Sequence, residues 1–83
     1  MNQDQHNKFK IVDKILNDNS FYIKHSINSY IHYYYSGLSN YYIEYNTEDN
    51  ELKVFTINNE LEYILTEDKL NESDLSIILY KLV

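Results

Sequence analysis

Between Asn40 and Thr66 three short runs alternate apolar and polar side chains, and they can be laid against one another in a single register without conflict. With Thr47-Glu48-Asp49-Asn50 as a four-residue loop, Tyr45 faces Leu52 and Ile43 faces Val54 on one side of a sheet. On the other side Glu44 meets Lys53 and Tyr42 meets Phe55, an opposite-charge pair and an aromatic pair directly across the strands. Asn58-Asn59 then reads as a two-residue type I′ turn, because Asn is one of the few residues that tolerates a positive φ. It would set Val54 against Tyr63 and Leu52 against Leu65. One face therefore stays apolar across all three strands, and a three-stranded antiparallel meander is expected.

The flanks read as helical. Residues 8 to 18 carry Phe9, Ile11, Val12, Ile15 and Leu16 at helical spacing, with Asn17-Asp18-Asn19 ending the run. Ser20 is positioned to cap a second helix from Phe21 to Ser36, in which Ile23, Ile27, Tyr30, Ile31 and Tyr34 follow the 3.6-residue period. Gly37 stands where a left-handed residue would close that helix, and Leu38 where its apolar contact would fall. The competing assignment is a strand over Tyr30 to Tyr35, since consecutive tyrosines favour sheets. At the far end Asn71 with Asp74 imitates a capping box and Leu70 with Leu75 a hydrophobic staple. Leu75, Ile78, Leu79 and Leu82 then continue a helical stripe. The expected fold class is α+β: residues 1–7 as a flexible N-terminus, then one domain over 8–83 with N-terminal helical segments, the meander and a C-terminal helix on one side of it.

Charge and composition bound the chemistry. The 83 residues hold 13 Asp and Glu against 7 Lys, a formal net charge of −6, with no Arg and no Cys. Residues 1–43 sum to +1 and residues 44–83 to −7. That field repels phosphate, so no direct nucleic-acid partner is expected. Without Cys, disulfides and thiolate metal sites are excluded. The polar start has no apolar segment behind it, and no run approaches the roughly 20 apolar residues of a membrane span, so a cytoplasmic location is expected, with no membrane partner. A bias to Asn, Ile, Lys and Tyr, with Ala, Arg and Pro missing, points to an A/T-rich genome such as that of a low-GC bacterium, its phages or its plasmids.

Catalytic and metal signatures are weak. His25 and His32 would share a helix side opposite the isoleucine stripe, with no carboxylate at i+3 or i+4, and zinc needs three or four convergent ligands. They read as solvated surface histidines. The carboxylate pairs fall in turns, helix starts and sheet edges, and the Thr47-to-Glu51 stretch lacks the spacing and glycine of a calcium loop. No phosphate-binding glycine loop is present. No enzyme activity, cofactor or metal is expected.

Two features remain. Tyr33, Tyr34, Tyr35, Tyr41, Tyr42, Tyr45 and Phe55 exceed what one small core buries, and tyrosine is enriched at binding hot spots. The plainer account is that the rings cover the outer sheet face and stabilise it. Carboxylates on a rigid sheet can imitate the charge pattern of a nucleic acid, although ordinary solubility charge explains any one of them. The expected partner-binding residues are Tyr33, Tyr35, Tyr42, Glu44, Glu48, Asp49, Glu51, Phe55, Glu60 and Glu62. The expected function is a small acidic inhibitor or adaptor from a phage or mobile element. It would block a basic nucleic-acid-binding host protein, such as a CRISPR or restriction nuclease, by mimicking nucleic-acid charge. The alternatives are an immunity protein or antitoxin that neutralises a toxin, and a structural homodimer.

Overall fold

A computed structural model describes residues 2–83. Helix α1 (Gln3–Asp18) leads into strands β1 (Phe21–Ile27), β2 (Tyr30–Tyr35), β3 (Tyr41–Asn46), β4 (Glu51–Thr56) and β5 (Leu61–Leu65). A short 3₁₀ turn at Glu67–Lys69 and helix α2 (Glu72–Tyr80) complete the chain. The strands form one antiparallel sheet in the order β1-β2-β3-β4-β5, so the α+β arrangement stands but the sheet has five strands rather than three.

Helix α1 starts earlier than residue 8. Asn2 accepts from the backbone N–H of Gln5 at 2.8 Å while the Gln5 side chain accepts from the backbone N–H of Asn2 at 3.1 Å. This reciprocal cap satisfies two of the donors a helix start leaves open, and residues 3–7 form the first turns of α1. Val12, Ile15 and Leu16 point into the core.

The second predicted helix does not form. Residues 21–35 are the hairpin β1–β2, joined by Asn28-Ser29 with Asn28 at φ 57°. One extra residue explains why the sequence misleads. The register runs from Ile23↔Tyr33 to His25↔His32, which leaves Lys24 as an unpaired bulge. The bulge reverses the alternation of β1 halfway along, so neither side of the strand carries an unbroken period of two, and the isoleucines fall by accident at helical intervals. Consecutive β-branched and aromatic residues, which fit a pleated surface, favour the strand. Ser20 is accordingly not an N-cap. It is the left-handed residue, φ 68°, that ends α1. Gly37 is not left-handed: a Cβ there would lie 2.7 Å from Cε2 of Tyr35, so the glycine makes room for a ring packed on Phe21. Leu38 is exposed and makes no helix-closing contact.

The meander matches its expected register at every predicted pair: Tyr45↔Leu52, Ile43↔Val54, Glu44↔Lys53, Tyr42↔Phe55, Val54↔Tyr63 and Leu52↔Leu65. The β4–β5 turn reaches that register by a different route. Thr56 donates to the Glu60 carbonyl and its own carbonyl accepts from Asn59, which closes a three-residue loop. Asn59 takes the left-handed conformation at φ 67°, whereas a type I′ turn would require Asn58 to do so as well. The longer loop shifts the pairing by one residue, and a bulge at Glu62, between Phe55↔Leu61 and Val54↔Tyr63, restores it.

Both helices lie on one face of the sheet. Val12, Leu16, Leu75 and Leu79 pack against Phe21, Tyr33, Ile43, Tyr45, Leu52 and Val54 in one core. Asn71 caps α2 by accepting from the Asp74 N–H at 2.9 Å, and Leu70 and Leu75 are both buried, as the stapled cap predicts. Buried phenols are satisfied: Tyr33 donates to Asp13 on α1 at 2.7 Å, and Tyr45 donates to Asn50 in the β3–β4 loop. Burial first, then the Asp13 carboxylate, holds the Tyr33 phenol protonated far above the usual range, and burial pushes Tyr45 up to about 12.

Candidate functional site

Among the described residues no element covers the face of the sheet away from the helices. Alternation along the strands places Tyr22, Tyr34, Tyr42, Phe55 and Leu61 there in one row, and His25, His32, Glu44, Lys53 and Ile64 in the next. The rings of the first row stack: Tyr34 on Tyr42 with centroids 5.4 Å apart at 14°, and Tyr42 on Phe55 at 5.4 Å and 18°. Pairs of this kind contribute about 0.5–1.5 kcal/mol beyond the area they cover. Tyr42 is braced further by its hydroxyl, which donates to Asn59 Oδ1 at 2.8 Å. Partial burial, then the neighbouring Tyr34 and Glu44, raises its phenol pKa above the ordinary value. The Lys24 ammonium lies 5.9 Å from the Tyr34 ring centre.

The second row is a hydrogen-bonded chain across three strands. His25 Nε2 lies 2.8 Å from His32 Nδ1, and His32 Nε2 lies 2.9 Å from Glu44 Oε2. An ionised carboxylate only accepts, so His32 Nε2 donates to Glu44, and in a neutral His32 the Nδ1 lone pair then faces His25. The bulge at Lys24 makes this meeting possible, since unbroken alternation from the inward Ile23 would turn His25 toward the core side. The histidine pair was expected on a helix surface with no carboxylate partner. It is cross-strand and has one. The seven-residue spacing is itself the available signal, because a two-residue turn at Asn28-Ser29 sets 25 opposite 32 once the hairpin is recognised.

The expected binding residues divide. Tyr42, Glu44 and Phe55 stand together on the open face, with Glu51 one row farther along and 3.8 Å from Lys53. Tyr35 lies on the helix side, half-buried against Phe21 at 5.3 Å. Tyr33 has no exposed surface and belongs to the core, so it cannot serve as an outward anchor. Its position in the strand, between outward His32 and Tyr34, dictates this. Glu48 and Asp49 are exposed in the β3–β4 loop, while Glu60 and Glu62 are exposed at the opposite end of β4 and β5.

The remaining acids are not evenly spread. Antiparallel topology brings the β3–β4 loop, the end of β5 with its 3₁₀ turn, and the start of α1 to one end of the molecule. Lys8 bridges Asp4 and Glu67 there. Glu48, Asp49 and Asp68 make no ion pair among the described residues; Asp68 accepts from Thr66 at 2.6 Å, which holds its carboxyl below the usual range. No group of three or more His, Cys, Asp or Glu suited to holding a metal occurs among the described residues, and no helix is long and apolar enough to cross a membrane. The chain matches no protein-family model, and no curated protein or solved structure is significantly similar to it.

Proposed function

We propose that this chain is a protein-binding module, an inhibitor or adaptor, that docks a partner on the uncovered face of its sheet. The carrying observation is the contrast within one sheet: two helices seal one face, and the other presents stacked rings beside a row of charged and imidazole groups. Rigid aromatic surface with polar tips forms binding anchors at small entropic cost, because the stack already fixes the rings. The acidic end next to this face supports a basic partner. A nucleic-acid-handling protein whose groove ordinarily takes phosphate is the class we favour, with the carboxylates of Glu48, Asp49 and Glu51 opposing its cations.

The test is capture from a low-GC bacterial lysate treated with nuclease, run in parallel with the unaltered chain and with Tyr42→Ala/Phe55→Ala as baits. A basic protein retained by the first bait, released by rising salt and lost from the second, supports the proposal. A partner held equally by both baits refutes docking on the open face, and binding insensitive to salt refutes charge mimicry.

A second reading has its own observation. β1 is an edge strand with Tyr22, Ile23 and Ile27 all substantially exposed, and pairing with the β1 of another copy would cover them. Light scattering decides it, since a strict monomer eliminates the homodimer.

A further inference from the structure

The two imidazoles of the polar row form a site of their own, independent of any docking partner. His25 Nε2 and His32 Nδ1 converge from adjacent strands to 2.8 Å. A neutral ring nitrogen is either a donor or a lone pair, so in the free chain one ring donates its N–H to the other, and a metal ion that both lone pairs address can take the place of that proton. We propose that His25 and His32 form a cis-chelating site for a divalent transition metal of the copper and nickel class, with Glu44 as the carboxylate that orients His32.

Three observations carry this. The separation fits the geometry: two nitrogens about 2.0 Å from a metal lie about 2.8 Å apart at the right angle of a square-planar centre, and about 3.3 Å apart at the tetrahedral angle zinc prefers. The His32 Nε2 to Glu44 contact at 2.9 Å is the arrangement in which a carboxylate takes the distal ring proton, fixes the tautomer and leaves the proximal nitrogen as a stronger donor. The site is also accessible. His25 is exposed on the edge strand, whereas His32 is held half-buried between its neighbours with its ring 5.5 Å from Tyr42.

Starting from the neutral pair, binding releases no proton. Neutral His25 moves its N–H from Nε2 to Nδ1, and the freed lone pair faces the metal beside that of His32. No third His, Cys, Asp or Glu joins the pair among the described residues, so water completes the coordination. Lys24, the nearest cation on the same strand, is directed at the Tyr34 ring. Copper should bind ahead of nickel and zinc, following the general order for nitrogen ligands.

The experiment adds Cu²⁺ to the full chain at pH 7.5 and follows binding by calorimetry, tyrosine fluorescence and electron paramagnetic resonance. The expected result is one equivalent bound, quenched emission from the adjacent tyrosines and hyperfine splitting from two nitrogens. His25→Gln and His32→Gln should each remove it. Glu44→Gln should weaken it about 10- to 100-fold, and His6→Gln should leave it unchanged. Circular dichroism confirms that each variant is folded. The proposal is overturned if His25→Gln/His32→Gln binds copper as the unaltered chain does. It is overturned equally if the two rings titrate with pH as a proton-sharing pair while no stoichiometric copper is taken up.

Discussion

The two faces of the sheet are built from the same residue types to opposite ends. Tyr33 and Tyr45 on the inner face are sealed, each with its hydroxyl spoken for by one polar group, Asp13 or Asn50. Tyr34 and Tyr42 on the outer face stack on each other and keep part of their surface in water. Tyrosine content alone therefore says nothing about function. The parity of a residue in its strand, and the side on which the helices land, decide whether a phenol is cement or display.

That contrast can be tested by removing parts of each face. The largest effect belongs to the inner side: Phe21→Ala should cost about 3–5 kcal/mol of unfolding free energy in urea denaturation, because Phe21 has no exposed surface and closes the core beside Tyr35. Tyr33→Phe keeps the ring and removes the bond to Asp13, so about 1–2 kcal/mol is expected. Tyr42→Ala on the open face should cost only about 1 kcal/mol while removing the central ring of the stack. An equal or larger loss at Tyr42 than at Phe21 would show that the outer rings are the principal stabiliser, which removes the case for a docking face.

Alkaline unfolding separates the faces by pH. In the unfolded chain a phenol ionises near 10.0, whereas Tyr45 in the fold reaches about 12 and Tyr33 is raised further. Above pH 10 the unfolded chain therefore sheds protons that the fold retains. The stabilisation is complete below pH 10 and declines as pH climbs from 10 toward 12. Thermal melts of Tyr33→Phe/Tyr45→Phe should fall less steeply over that window than those of the unaltered chain; an identical slope would mean that the inner phenols are not held neutral.

How much of this was legible follows from where each strand gets its register. β3 and β4 meet across a loop of plain length, and period-two alternation with matched pairs such as Glu44 and Lys53 was enough to place them. β4 and β5 were placed correctly although the turn was misread, because the extra loop residue and the bulge at Glu62 cancel. In β1 the bulge at Lys24 has no such compensation. It breaks the alternation on which strand recognition depends, and with β1 misassigned, Tyr30 to Tyr35 lost its partner and the histidine chain vanished from view. The outward set was accordingly half visible: Tyr42, Glu44 and Phe55 lie in the legible meander, whereas Tyr33 could be turned inward only by knowing the parity of β2.

The bulge has a consequence for how this scaffold changes. Removing Lys24 would give β1 an unbroken alternation from inward Ile23 to outward His25, so the hairpin register and the imidazole pair would both survive that deletion. A one-residue insertion or deletion on the turn side of the bulge, between His25 and Ile27, would instead move His25 off its place opposite His32, so the surface chemistry of the edge is encoded in strand length as much as in residue identity.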